Sequence, residues 1–192
     1  TRFLASVPGY MYAQTADVLY VNLFASGSGT ILLDNGTAVQ LVQDTRYPWD
    51  GAVKIAVLPS NSAKFTINIR IPGWARDEAI PGGLYRFADK SSAPVVLKVN
   101  SETQKAQPDK GYARVTRTWN KDDVIELILP MPVRRVVADE NVKADAGRVA
   151  LQRGPLVYAF ESADNGPGLE NLRIPTGAEV RAVARPDLLG GI

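Results

Sequence analysis

The chain contains no cysteine and no histidine. The first absence rules out disulfides, a thiolate nucleophile and thiolate metal ligands in this chain. The second removes the commonest general base, so Ser–His–Asp and Cys–His arrangements are impossible. A zinc site would have to use carboxylates alone, an unusual donor set for that ion. No apolar run approaches the roughly 18 residues of a membrane span, so no membrane partner is expected. Basic and acidic residues number 22 and 20, a net charge of +2, and no Lys/Arg run suggests a nucleic-acid partner. No P-loop and no dinucleotide-binding glycine pattern is found. The first ten residues lack the basic and long apolar regions of a signal peptide, and there is no initiator methionine. Thr1 therefore reads as a cut point inside a longer protein. The lack of cysteine leaves localisation open, cytoplasmic or exported from a bacterial cell.

What is present is ordinary globular composition, 45% hydrophobic and 22% charged over 192 residues, enough for one large or two small domains. The stretch Val149–Glu161 places two apolar runs around Arg153-Gly154-Pro155. Leu156, Tyr158 and Phe160 share one parity and Val157 and Ala159 the other, which predicts a core strand covered on both faces after a kink. Earlier, Val18–Phe24 reads as a central strand. Asp34-Asn35-Gly36-Thr37 between apolar runs predicts a hairpin with a type I′ turn. Val53, Ile55 and Val57, and then Phe65, Ile67, Ile69 and Ile71, alternate with polar residues as half-buried strands do. Residues 77–94 read as a loop excursion. Val95–Val99, Ala113–Trp119, Val124–Leu129 and Val133–Val137 supply further strands. The sum is nine or ten short strands and no long amphipathic helix. The fold class is all-β, an antiparallel β-sandwich, jelly-roll-like, with a short N-terminal helical remnant. Residues 1–15 are expected to be the remnant of a preceding helical domain, 16–137 the sandwich, and 138–192 further strands of the same or a second sandwich. The C-terminus, Gly190-Gly191-Ile192, reads as another truncation.

Two kinds of residue could carry function. Asp122-Asp123 and Asp139-Glu140 are adjacent carboxylates in turns. A glycosidase needs its pair held about 5–9.5 Å apart across a sugar ring, which sequence adjacency does not supply, so solvated turn residues are expected. Tyr47-Pro48-Trp49-Asp50-Gly51 enters a strand and Arg70-Ile71-Pro72-Gly73-Trp74 leaves one. Exposed aromatics stack on sugars; buried ones would plug the open ends of a sandwich. Tyr47, Trp49, Trp74 and Tyr85 are the candidate carbohydrate contacts.

Several motifs occur in a fixed order: L-A-S-V-P-G-Y-M-Y-A at Leu4–Ala13, L-Y-V-N-L-F at Leu19–Phe24, Y-P-W-D-G at Tyr47–Gly51 and F-T-I-N-I-R-I-P-G-W-A at Phe65–Ala75. G-Y-A-R-V-T-R-T-W at Gly111–Trp119, L-I-L-P-M-P-V-R at Leu127–Arg134 and V-A-L-Q-R-G-P-L-V-Y at Val149–Tyr158 follow. As a set they closely resemble the C-terminal part of the β-L-arabinofuranosidases of glycoside hydrolase family 127. The resemblance implies a helical α/α barrel that carries the active site, followed by β-sandwich domains. It implies retaining enzymes with a cysteine nucleophile, a glutamate acid/base and a zinc held by cysteines and a glutamate. That cysteine pair lies upstream of the segment matching Leu4–Ala13, so no catalytic residue, metal ligand or cofactor carries over to this chain. Three readings result: a non-catalytic accessory sandwich of a hydrolase acting on arabinose-containing plant glycans, a carbohydrate-binding module using Trp49 and Trp74, or a purely structural interaction domain. The expected partners are the helical catalytic domain of the same protein, an oligosaccharide, and a second copy through apolar residues 3–12. Sugar and linkage specificity lie outside what these residues encode.

Overall fold

The structure is a computed structural model that describes residues 2–91, 93–185 and 187. The readings at Thr1 and at Gly190–Ile192 lie outside the described residues. A short helix α1 (Arg2–Ser6) and a 3-10 turn (Val7–Tyr10) open the chain. The strands are β1 (Tyr12–Thr15), β2 (Val18–Val21), β3 (Gly27–Leu32), β4 (Ala38–Thr45), β5 (Ala52–Pro59), β6 (Ala63–Arg70), β7 (Tyr85–Phe87), β8 (Val96–Val99), β9 (Glu102–Gln104), β10 (Tyr112–Trp119), β11 (Asp123–Ile128), β12 (Val133–Ala138), β13 (Ala150–Arg153) and β14 (Leu156–Tyr158). One further helical turn, α2, covers Ser162–Asn165. The class is all-β as the alternation predicts. The strands outnumber the nine or ten read from sequence because β1, β7 and β9 are only 3–4 residues long and leave too short a trace for a period-2 count.

The chain divides into two compact units, Thr1–Arg76 with Ser92–Pro130, and Asp77–Ser91 with Met131–Ile192. The first unit is a sandwich. One sheet runs β1-β2-β6-β10 and the other β3-β4-β5-β11-β8-β9. Every pairing is antiparallel except β2 with β6, which is parallel. Alternation decides the core. Phe65, Ile67 and Ile69 of β6 and Ala113, Val115 and Trp119 of β10 bury one parity of the first sheet. They form a single cluster with Leu41, Ile55, Val57, Leu97, Ile125 and Leu127 of the second sheet. Close-packed apolar contact between two inner faces is what holds a sandwich together. Trp119 is fully buried, lies 5.9 Å from Phe65 ring to ring, and satisfies its indole N–H on the Phe65 carbonyl at 3.1 Å.

Two details correct the sequence reading. The β3–β4 hairpin forms, but Gly36 alone has positive φ (84°), and Asn35 does not. The Gly36 N–H donates to the Leu33 carbonyl at 2.9 Å and the Asn35 side chain accepts from Thr37 N–H at 2.9 Å. The loop is one residue longer than a type I′ turn and closes with Gly36 as the left-handed residue. At the start of the unit, residues 12–15 are the edge strand of the first sheet. Tyr12 packs against the core cluster, and its hydroxyl accepts from Gln43 Nε2 at 2.9 Å.

The second unit is one antiparallel sheet, β14-β13-β12-β7. Its edge strand β7 comes from the stretch read as a loop excursion. Val136 and Ala138 of β12 align with Phe87 and Tyr85 of β7. The fastening is a buried arginine. Arg134 Nη1 donates to Asp77 Oδ1 at 2.7 Å, Nη2 donates to the Asp89 carbonyl, and the guanidinium carbon lies 3.6 Å from the centre of the Phe87 ring. Three short-range partners offset the cost of burying that charge. Arg153-Gly154-Pro155 is a hairpin and not a kink, because Arg153 aligns with Leu156 and Gly154 has φ 58°. A positive-φ glycine at the first central position followed by proline suits a two-residue II′ turn. The expected two-sided cover of the last strand is not found: β14 is an edge, with Val157 66% and Phe160 52% exposed.

Candidate functional site

The loop between β4 and β5 is shaped by its own polar side chains. Thr45 Oγ1 accepts from Tyr47 N–H at 3.0 Å, and Asp50 Oδ1 accepts from Ala52 N–H at 3.0 Å. The loop places Tyr47 edge-on to Phe24 at 5.6 Å. Pro72 and a 3-10 turn over Gly73–Arg76 bring Trp74 to the same place, where both Tyr47 and Trp74 pack on the sandwich core. The Trp74 indole donates to the Tyr47 hydroxyl; burial pushes that phenol up, and this hydrogen bond works against it. So Tyr47 and Trp74 come together, as half-buried partners. Trp49 sits on the loop at 37% exposure. Tyr85 belongs to the second unit, where its hydroxyl donates to Asp145 Oδ2 at 2.8 Å and that carboxylate raises the phenol above its ordinary value.

The adjacent carboxylates turn out to build turns. Asp139 Oδ1 accepts from Asn141 N–H at 3.0 Å and from its side chain at 2.7 Å, which lowers the Asp139 carboxyl below its usual value. Asp139, Glu140 and Asp145 line a groove of about 780 Å³ in the second unit together with Arg86, Arg135 and Arg148, a mixed-charge surface. Asp123 is not the solvated residue expected from its turn. It is 7% exposed and accepts from Asn100 Nδ2 at 2.7 Å and Asn120 N–H at 2.9 Å. Among the described residues no group of three or more carboxylates could hold a metal ion. With neither Cys nor His in the sequence, the donors here do not fit the zinc that the resemblance implies for the wider family.

Sequence reasoning passed over another constellation, on the outer face of the first unit's β1-β2-β6-β10 sheet. Register sets Tyr20 beside Asn68, Asn68 beside Arg114, and Arg70 beside Tyr112. The Tyr20 and Tyr112 rings meet edge to face at 5.3 Å and 83°, and the Arg70 guanidinium lies 5.2 Å over the Tyr112 ring. The Tyr112 hydroxyl donates to Asn22 Oδ1 at 2.8 Å, and Asn22 Nδ2 donates to the Tyr10 carbonyl at 3.3 Å. The signal was available: tyrosines on the polar parity of two paired strands are unusual occupants of a plain solvated face.

By geometry the chain forms a β-sandwich unit and a single-sheet unit, the latter including the inserted segment Asp77–Ser91. The region 18–131 matches the profile described as the middle domain of GH127 β-L-arabinofuranosidases, and 133–187 the profile of the family 127 C-terminal domain. The chain belongs to glycoside hydrolase family 127. A curated relative, the non-reducing end β-L-arabinofuranosidase of Bifidobacterium longum subsp. longum, is 33% identical over 199 residues, which cover 100% of this chain and 27% of that protein. A solved GH127 β-arabinofuranosidase superposes with a TM-score of 0.93 at 37% identity, covering 100% of this chain and 30% of its own. The GH127 β-L-arabinofuranosidase of Geobacillus stearothermophilus T6 gives 0.86 at 39% identity, covering 100% and 28%. The chain thus spans less than a third of the length of these relatives and is part of a larger protein with other domains.

Proposed function

We propose that this chain is the non-catalytic β-sandwich part of a glycoside hydrolase that acts on arabinose-containing glycans, and that it serves as a scaffold for a helical catalytic domain in the same protein. The observation that carries the reading is the start of the chain. Phe3, Leu4 and Tyr10 are 69%, 71% and 59% exposed on a helical segment that leads directly into β1. Bare apolar surface costs about 25 cal/mol per Å², so contiguous large side chains of this kind imply a cover. The match to a middle and a C-terminal domain supports a catalytic domain as that cover. The same segment would drive self-association when the cover is missing. The chemistry of the chain agrees: without thiol or imidazole it has neither a soft nucleophile nor a zinc donor set. The experiment compares this chain with the longer protein that carries it, using aryl β-L-arabinofuranosides and metal analysis. Turnover and zinc are expected in the longer protein alone. Turnover or stoichiometric zinc in this chain by itself would overturn the reading.

A further inference from the structure

We infer that the outer face of the β1-β2-β6-β10 sheet is the surface on which the domain preceding the middle domain docks, and that this partner presents carboxylates to Arg70 and Arg114. The inference rests on the scaffold reading and assigns it a face. The outward positions of these four strands, those in register with Tyr20 and Asn68, include Tyr20, Lys64, Asn68, Arg70, Tyr112 and Arg114. None is acidic and three are basic. Among the described residues no carboxylate forms an ion pair with Arg70 or Arg114. Glu102 of β9 lines the groove beside Arg114 together with Lys105, but the outward strand positions themselves are without a carboxylate. A predominantly basic face with aromatic rings at its middle is complementary to an acidic protein surface, since complementary charge sets the register of an interface and buried tyrosine and arginine carry its energy.

The occupant follows from three observations. The matched profile describes a middle domain, and the relatives are more than three times the length of this chain. The exposed helical segment joins the sheet at its edge strand β1, and Asn22 ties the two together by bonding both the Tyr10 carbonyl and the Tyr112 hydroxyl. The apolar segment and the tyrosine face are therefore continuous. A glycan fits less well. Sugar stacking needs an open ring face, but Tyr20 and Tyr112 stand edge to face, and Arg70 covers the Tyr112 ring.

The test is hydroxyl-radical footprinting of Tyr20 and Tyr112 in the longer protein and in this chain alone. Both tyrosines are expected to label at least fivefold more slowly in the longer protein. Arg114 is an exposed side chain, and Arg114→Glu in the longer protein is expected to raise their labelling at least twofold while leaving the far-UV spectrum unchanged. Equal labelling of the two proteins would overturn the inference, and so would an arabino-oligosaccharide that protects both tyrosines in this chain alone. Failure of the scaffold reading is distinguishable, because it appears as turnover by this chain and not in the footprint.

Discussion

Asp123→Asn tests whether a turn carboxylate holds the sandwich together. Asp123 opens β11, and its two oxygens reach in different directions. Oδ1 accepts from Asn100 Nδ2 at 2.7 Å and Oδ2 from Asn120 N–H at 2.9 Å, with Arg117 Nη2 3.9 Å away. Asn100 in turn accepts from Val124 N–H at 2.8 Å, so one carboxylate locks the β8–β9 turn to the β10–β11 turn. Asparagine keeps the shape, but its amide nitrogen must face one of two donors. One charge-assisted bond is lost and the other weakens to a neutral one. At about 1.5–3 kcal/mol for a bond to a charged group, the expected loss is about 2–4 kcal/mol. Burial opposes the charge, but the Asn120 and Asn100 bonds and Arg117 outweigh it and hold the carboxyl below its ordinary value. A depressed folded pKa stabilises the fold above the unfolded carboxylate pKa of about 3.9, and that contribution fades as pH falls through the folded value. Urea melts should therefore show a constant gap between wild type and Asp123→Asn from pH 5 to 8, closing below about pH 4. A gap under 0.5 kcal/mol at pH 7, or one that widens in acid, would refute the reasoning.

The parity of β6 is tested by Ile69→Ala, expected to cost about 2–5 kcal/mol for a fully buried side chain. Arg70→Ala, on the opposite face, should cost below about 1 kcal/mol, the scale of a partly exposed cation–π contact; equal losses in denaturant would overturn the strand parity. Arg134→Ala removes the buried guanidinium that bonds Asp77 and the Asp89 carbonyl and lies on Phe87, while the carboxylates it leaves are 47% and 60% exposed and can be hydrated. The expected cost is about 1.5–3 kcal/mol, the scale of hydrogen bonds to a charged group, seen as faster amide exchange over 85–87; protected amides there would deny it the fastening role. Deleting residues 1–10 should leave the sandwich folded and reduce self-association by sedimentation, whereas deleting 1–14 removes Tyr12 and most of β1 and should lower the melting temperature. Identical melting of the two truncations would place Tyr12 outside the core.

The sandwich was legible because its interior strands obey one rule without interference. In β5 and β6 every second residue is apolar, in β10 every second residue except Arg117, and each strand is eight residues long, so period 2 stands out from composition. Where that rule failed, a particular competing cause can be named. β7 was hidden because Tyr85-Arg86-Phe87 is three residues inside a Gly- and Pro-rich stretch, and what makes it a strand is pairing with β12 and the reach of Arg134. No local window contains that information. At β14 the apolar residues on both parities were read as two-sided burial, yet Val157 and Phe160 are exposed at an edge. Apolar residues on both parities do not by themselves bury a strand, and β14 has a neighbour on one side only, β13.

The candidate site shows the same limit more sharply. Tyr47 and Trp74 drew attention by being aromatic and next to proline or glycine, features that serve a core plug as well as a sugar platform. Their mutual hydrogen bond and their packing on the core cluster are facts about two loops 27 residues apart in sequence, and only the fold brings them into contact. Tyr20 and Tyr112 escaped notice for the opposite reason. Each sits alone on a polar parity, and the pair exists because β2 and β10 flank β6 in one sheet. The parallel pairing of β2 with β6 sets Tyr20 beside Asn68, and the antiparallel pairing of β6 with β10 sets Tyr112 beside Arg70. A surface assembled from three strands in that way becomes visible once register is known. A glycine or proline shapes a loop locally, whereas register is a property of the whole sheet. It follows that in this chain residue type identified the loops, while strand order assembled the tyrosine face from β2, β6 and β10.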